Sequence, residues 1–205
     1  MRIVRRAPAL AVILFAALSC GRAAQESGSV GSALREFEHR KIHTTLSPET
    51  LASIPDDKLE QAIVDYAAAK LEGHDEDEAR LVNDFPEGVR ALYLTWVVEA
   101  EVENGGFNQY FWNTEGRFSE QAVRSFEFFG AVKHADLMRE ANGVRAKEAS
   151  TIEKFKQKGT MEAFSESYEA SQLGPLDERF YHLDEDLSRL RIAKIRANPI
   201  LFSGN

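Results

Sequence analysis

The stretch EVENGGFNQYFWN, residues 101–113, decides how the chain folds, because acids, a Gly-Gly pair, aromatic rings and carboxamides crowd together in it. Glu99, Glu101 and Glu103 fall in the last turn of an apolar helical segment, where the helix macrodipole disfavours carboxylates. Gly105 and Gly106 can take the left-handed conformations that end a helix, and a second helix then begins near Phe107 with unpaired N–H groups that a carboxylate can accept. On this reading Glu103 or Asn104 ties the two helices across a chain reversal. Phe107, Tyr110 and Phe111, at i, i+3 and i+4, form the buried stripe of the second helix and leave Asn108 and Trp112 on other faces. Asn113 with Gly116 suits its exit.

A chemical reading of the same residues stays open. Glu99 lies four residues before Glu103, and two carboxylates at that spacing can serve as acid and base or as half of a metal site. The structural reading is the stronger one, since the next histidine is His134 and no cysteine follows.

Working outward, the segment GVRALYLTWVVEAEVE carries Val89, Leu92, Tyr93, Trp96, Val97 and Ala100 on one face, with Leu94 and Val98 opposite. An all-round apolar helix of this kind belongs at the centre of a fold. IPDDKLEQAIVDYAAAKLEG starts at Pro55 and stops at Gly73, and DEDEARLVNDFP ends before Pro86. FSEQAVRSFEFFG offers Ser119 as N-cap and Gly130 as stop. AVKHADLMREANG closes on Asn142-Gly143, VRAKEASTIEKFKQKG closes on Gly159, and Thr160 caps a short helix before Gly174-Pro175. LDERFYHLDEDLSRLRIAKIRAN reads as one closing helix, acid-first and base-last. No stretch alternates like a strand. The fold class is therefore all-α, a single helical domain of about seven to nine helices.

That domain spans residues 33–205 and follows a leader. Arg2, Arg5 and Arg6 precede an apolar run from Ala7 to Leu18, the order of a secretory signal peptide over residues 1–19. The run is short for a membrane span. Cys20, the chain's single cysteine, stands directly after it, where a lipoprotein signal places the residue that is acylated. Residues 20–32 are small and polar and read as a flexible tether. The sequence thus predicts an exported protein, periplasmic or at the cell surface, held to a membrane only by a lipid.

The chain holds 33 acids against 25 lysines and arginines, and removing the leader deletes three arginines. The excess is local: Asp56 to Glu103 carries 14 acids against Lys58, Lys70, Arg80 and Arg90. Such a face repels nucleic acid and attracts basic proteins. Asp75, Glu76, Asp77 and Glu78 are its densest part and the expected acidic binding surface. No metal site and no cofactor are expected. His39 and His43 lack the glutamate of a hydrolytic zinc motif, and His74 lacks a calcium-loop pattern. His134 and His182 are isolated, and Arg189, Arg191, Lys194 and Arg196 read as complements of a helix dipole.

Glu103, Asn104, Gly105, Gly106, Phe107, Gln109, Tyr110, Phe111 and Asn113 resemble the hallmark of the DNA-mimic-protein domain family, a bacterial domain otherwise of unknown function. FEFFGAVKHADLM and the closing helix are similar to that family too, over roughly Ile54 to Phe202. The resemblance implies a helical domain and, for the family's namesake, an acidic surface that imitates duplex phosphates and occupies a transcription factor. An exported protein does not meet such a factor, so what transfers is an acidic, protein-facing surface without catalysis. The rival expectation is a hydrolase or lyase using Glu99 and Glu103, with Asn104, Gln109 and Asn113 as orienting amides.

Overall fold

The computed structural model describes residues 37–74 and 76–204. The expected signal peptide, Cys20, the tether and Asp75 lie outside the described residues. Among the described residues the architecture is all-α. The helices are α1 (Pro48–Ser53), α2 (Asp56–Leu71), α3 (Glu78–Asp84), α4 (Glu87–Thr114), α5 (Ser119–Phe129), α6 (Val132–Lys158), α7 (Met161–Glu169), α8 (Gly174–Tyr181) and α9 (Leu187–Ala197), followed by a 3-10 turn, Pro199–Phe202. An isolated antiparallel bridge joins Leu46 to Gly204, with N–O distances of 2.8 and 2.9 Å, and pins the chain's end beside α1.

Helix α4 runs through the centre, as its all-round apolar pattern predicts. Its first half buries Val89, Leu92, Tyr93 and Leu94 with Leu59, Ile63 and Val64 of α2, and with Ile195 and Phe202 from the chain's end. Its second half buries Val98, Val102, Phe107, Tyr110 and Phe111 with Phe126 of α5, Leu137 and Met138 of α6, and Phe180 of α8. Each large side chain fully removed from water contributes roughly 1.5–3 kcal/mol, so this one helix organises both cores.

Local signals set most boundaries. Ser47 Oγ accepts from Thr50 N at 3.1 Å, and Thr160 Oγ1 accepts from Ala163 N at 3.2 Å. Gly73, Gly130 and Gly159 take positive φ at helix ends. Three expectations are corrected. Ser119 is not an N-cap; Phe118 holds that place and no side chain caps the helix. Asn142-Gly143 does not end a helix, because α6 continues through it. Asn142 Nδ2 instead donates to Ser119 O at 3.2 Å, and packing against α5 outweighs the intrinsic cost of one glycine, about 1 kcal/mol. The closing segment is two helices. Asp186 Oδ1 accepts from Arg189 N at 2.9 Å and starts α9 afresh, while Glu185 is drawn away to α6.

Candidate functional site

The double glycine breaks α4 without an intervening loop, so the expected reversal is a kink inside one helical element. Gly105 has φ −165° and ψ 32°, and Gly106 has φ 70° and ψ 178°. Only Gly106 lies where side-chain-bearing residues are strained. A Cβ there would also collide with the Asp177 carboxylate, and one on Gly105 would meet the Gln109 side chain and the Tyr168 hydroxyl.

Residues distant in sequence satisfy the backbone that the kink frees. Tyr181 OH donates to Val102 O at 2.9 Å, and Tyr168 OH donates to Gly105 O at 2.6 Å. Past the break, Phe107 N donates to Asp177 Oδ1 at 2.7 Å. A carboxylate from α8 thus serves as N-cap for the second half of α4. Asn108 is buried and donates to Ser167 Oγ at 2.8 Å, although the sequence spacing leaves it off the core face.

Across the break, Gln109 Nε2 and Asn113 Nδ2 each donate to Glu101 Oε2 at 2.8 Å. Glutamine and asparagine four residues apart share a helix face, which explains their spacing in the motif. The ties are therefore Glu101 and Asp177, in place of the expected Glu103 or Asn104. Position 101 turns inward beside buried Val98 and Val102, whereas Glu103 and Asn104 are exposed. Beneath the break, Phe107 stacks on Phe111 and meets Phe180 edge-on, with centroids 6.5 and 5.7 Å apart.

Burial raises the pKa of Glu101 against the lowering effect of its two amide partners, and raises that of Asp177 against the Phe107 N–H. The Tyr168 hydroxyl is pushed up to about 12, first by burial and then by the charges of Asp177, Tyr181 and Glu101. Chemically this is a set of donors and acceptors turned on one another to hold a backbone.

Glu99 belongs to a second cluster. Arg191, 1% exposed, places Nη1 at 2.6 Å from Glu99 Oε2 and 3.0 Å from Glu60 Oε2, and its Nε donates to Thr95 Oγ1 at 3.2 Å. Its position is not explained by a helix dipole; it is a buried ion triad spanning α2, α4 and α9. Burial works against the guanidinium charge, but Glu99 and Glu60 more than offset it and hold the pKa up. Burial raises Glu60. Arg196 likewise ties Asp56 at 2.6 Å and the Leu51 and Ile54 carbonyls. Glu103 lies apart from this triad, and its charge reaches Tyr181.

His134, buried at the start of α6, shares a 2.6 Å hydrogen bond between Nδ1 and Glu185 Oε2 and stacks on Phe126. Burial lowers the His134 pKa. Burial would raise Glu185, but bonds from the His134 ring and from the N–H groups of His134 and Lys133 bring it below the usual range. A neutral imidazole donating to a carboxylate follows. Sequence spacing gave no sign of this pair, 51 residues apart.

The acidic segment is largely neutralised from outside itself. Asp65 pairs with Arg40 at 2.5 Å, Glu78 with Arg117 at 2.8 Å, and Asp77 and Asp84 with Arg80 at 3.3 and 3.2 Å. Of the expected binding surface, Glu76 is exposed and makes no ion pair among the described residues, as does neighbouring Glu72. His39 and His74 are exposed, and residues 40–43 are not helical. Among the described residues no group of three or more His, Cys, Asp or Glu could hold a metal ion, and no helix is long and apolar enough to cross a membrane.

No curated protein and no solved structure matches the chain. A family model described as DMP19-like protein matches residues 83–198, from the end of α3 to the end of α9. The match takes in the kink, the amides that clamp Glu101, both tyrosines and Asp177, so that by a match covering more than half its length the chain belongs to the DMP19-like protein family.

Proposed function

We propose that this protein is a non-catalytic, acidic protein-binding module, exported and held to a membrane by a lipid on Cys20, that recognises a basic protein partner. The observation that carries the reading is how the family motif is used. Glu101, Gln109, Asn113 and the capping Asp177 are engaged in holding the α4 kink. Glu99 is engaged by Arg191. What faces outward in the acidic segment is the turn between α2 and α3, where Glu72 and Glu76 present carboxylates to solvent.

Carboxylates fixed on a helical scaffold recognise arginines and lysines through charge-assisted hydrogen bonds. Such contacts speed encounter and weaken as salt screens them. The immobilised chain should therefore capture basic proteins from an extracytoplasmic extract at low salt and release them at high salt. E72Q/E76Q should capture much less. Recovery of nothing, or of partners indifferent to salt and to the double substitution, removes the reading.

A further inference from the structure

A cleft of about 320 Å³ opens between the α3–α4 junction and α5, away from the α4 kink. Its walls include Asn83, Glu87, Arg90, Gln121, Arg124 and Phe128. Gln121, Arg124 and Phe128 follow one another at i, i+3 and i+7, so one face of α5 forms a wall. Its volume lies at the small end of ligand pockets.

The charges in this cleft are arranged unlike those elsewhere on the surface. Arg124 is exposed and makes no hydrogen bond or ion pair among the described residues. Glu87 is exposed on the α4 wall, likewise without an ion pair among the described residues. Opposite charges thus line one cleft without closing on each other. Arg90 does not compensate Glu87, because its Nη1 donates to the carbonyls of Asn83 at 2.8 Å and Phe85 at 3.3 Å.

The wall between them carries an acceptor that lacks a donor. Asn83 Nδ2 donates to Ala79 O at 2.8 Å, which fixes its Oδ1 as the acceptor for Gln121 Nε2, also at 2.8 Å. The Gln121 amide cannot flip without setting oxygen against oxygen. Its Oε1 is consequently buried with no partner among the described residues. Buried acceptors left this way are uncommon and call for an explanation.

We propose that this cleft binds a small zwitterion, an α-amino acid or a dipeptide. Its carboxylate pairs with Arg124, its ammonium group with Glu87 and the Gln121 acceptor, and its side chain lies on Phe128. Neither a simple anion nor a simple cation meets both walls. This site is separate from the acidic turn and stands or falls independently of it.

Titration calorimetry on the full chain tests the proposal with phenylalanine, alanyl-phenylalanine and the uncharged N-acetylphenylalanine amide. A zwitterionic probe should bind, and the uncharged analogue should bind at least about tenfold more weakly. The tighter of the two zwitterions tells whether the source is a free amino acid or a peptide. R124A and E87Q should each weaken binding by about tenfold or more while leaving circular dichroism and Tm unchanged, since both side chains are exposed. Absence of heat with both zwitterions, equal binding of the uncharged analogue, or binding unaffected by R124A and E87Q would overturn it.

Discussion

Replacing Gly106 by alanine isolates what the family motif does. Two costs add. The backbone at φ 70° and ψ 178° is a region nearly reserved for glycine, and holding alanine there costs about 1–3 kcal/mol. The new methyl group also displaces the Asp177 carboxylate from Phe107 N, a charge-assisted bond worth about 1.5–3 kcal/mol. Together they predict a loss of about 3–5 kcal/mol, or roughly 6–20 °C in Tm for a chain of this size. Urea unfolding followed by tryptophan fluorescence and by helical ellipticity would measure it. Because the clash involves Asp177, D177A should absorb part of the cost, and G106A/D177A should be less destabilised than the sum of the single variants by about 1 kcal/mol or more. Gly143 supplies the contrast: it sits inside α6 with nothing within 4 Å of its missing Cβ, so G143A should stabilise by up to about 1 kcal/mol. If G106A lies within about 0.5 kcal/mol of the wild type, or adds fully with D177A, the reasoning is refuted.

Removing the buried cation by R191M strands Glu60 and Glu99 and should cost about 3–5 kcal/mol in urea unfolding; R191M/E60Q/E99Q should recover most of that. Glu101 has a raised folded pKa, so the stability it contributes is fully present below its unfolded pKa and is lost as pH rises through the folded one. The wild type should therefore gain on E101Q when pH falls from about 7 to about 4.5, and a shrinking difference would contradict the assignment. His134 works in the opposite sense: its lowered pKa contributes stability above about 6.5 that is lost on acidification, so replacing it should flatten the decline in Tm between about pH 7 and 5. Radioactive fatty acid should label the wild type and not C20S; equal label in both would end the proposal of a lipid anchor.

The helical class, the central position of α4, the break at Gly105-Gly106 and the burial of Phe107, Tyr110 and Phe111 are legible from spacing alone. They rest on local chemistry: apolar periodicity, glycine's conformational range and capping residues. The groups that complete the break are not legible that way. Asp177 and Tyr181 come from 70 and 79 residues away, and no local preference announces such a contact. Glu101 could have been chosen over Glu103 by asking which acid faces a glutamine and an asparagine spaced by four, since that pair presents two donors on one face. Arg191 misled for a related reason. A basic residue late in a helix fits the dipole, and only tertiary packing shows that it lies buried between Glu60 and Glu99. Net charge misled similarly, because Arg40, Arg117 and Arg196 return from outside the acidic segment to neutralise parts of it.

The most direct test of the proposed function is the salt dependence of affinity for a captured basic partner, measured for the wild type and for E72Q/E76Q between about 50 and 500 mM salt. Steep weakening for the wild type and a shallower, weaker response for the double variant are predicted. Parallel curves of equal affinity would contradict recognition through the α2–α3 turn, and salt-independent binding would contradict recognition through charge.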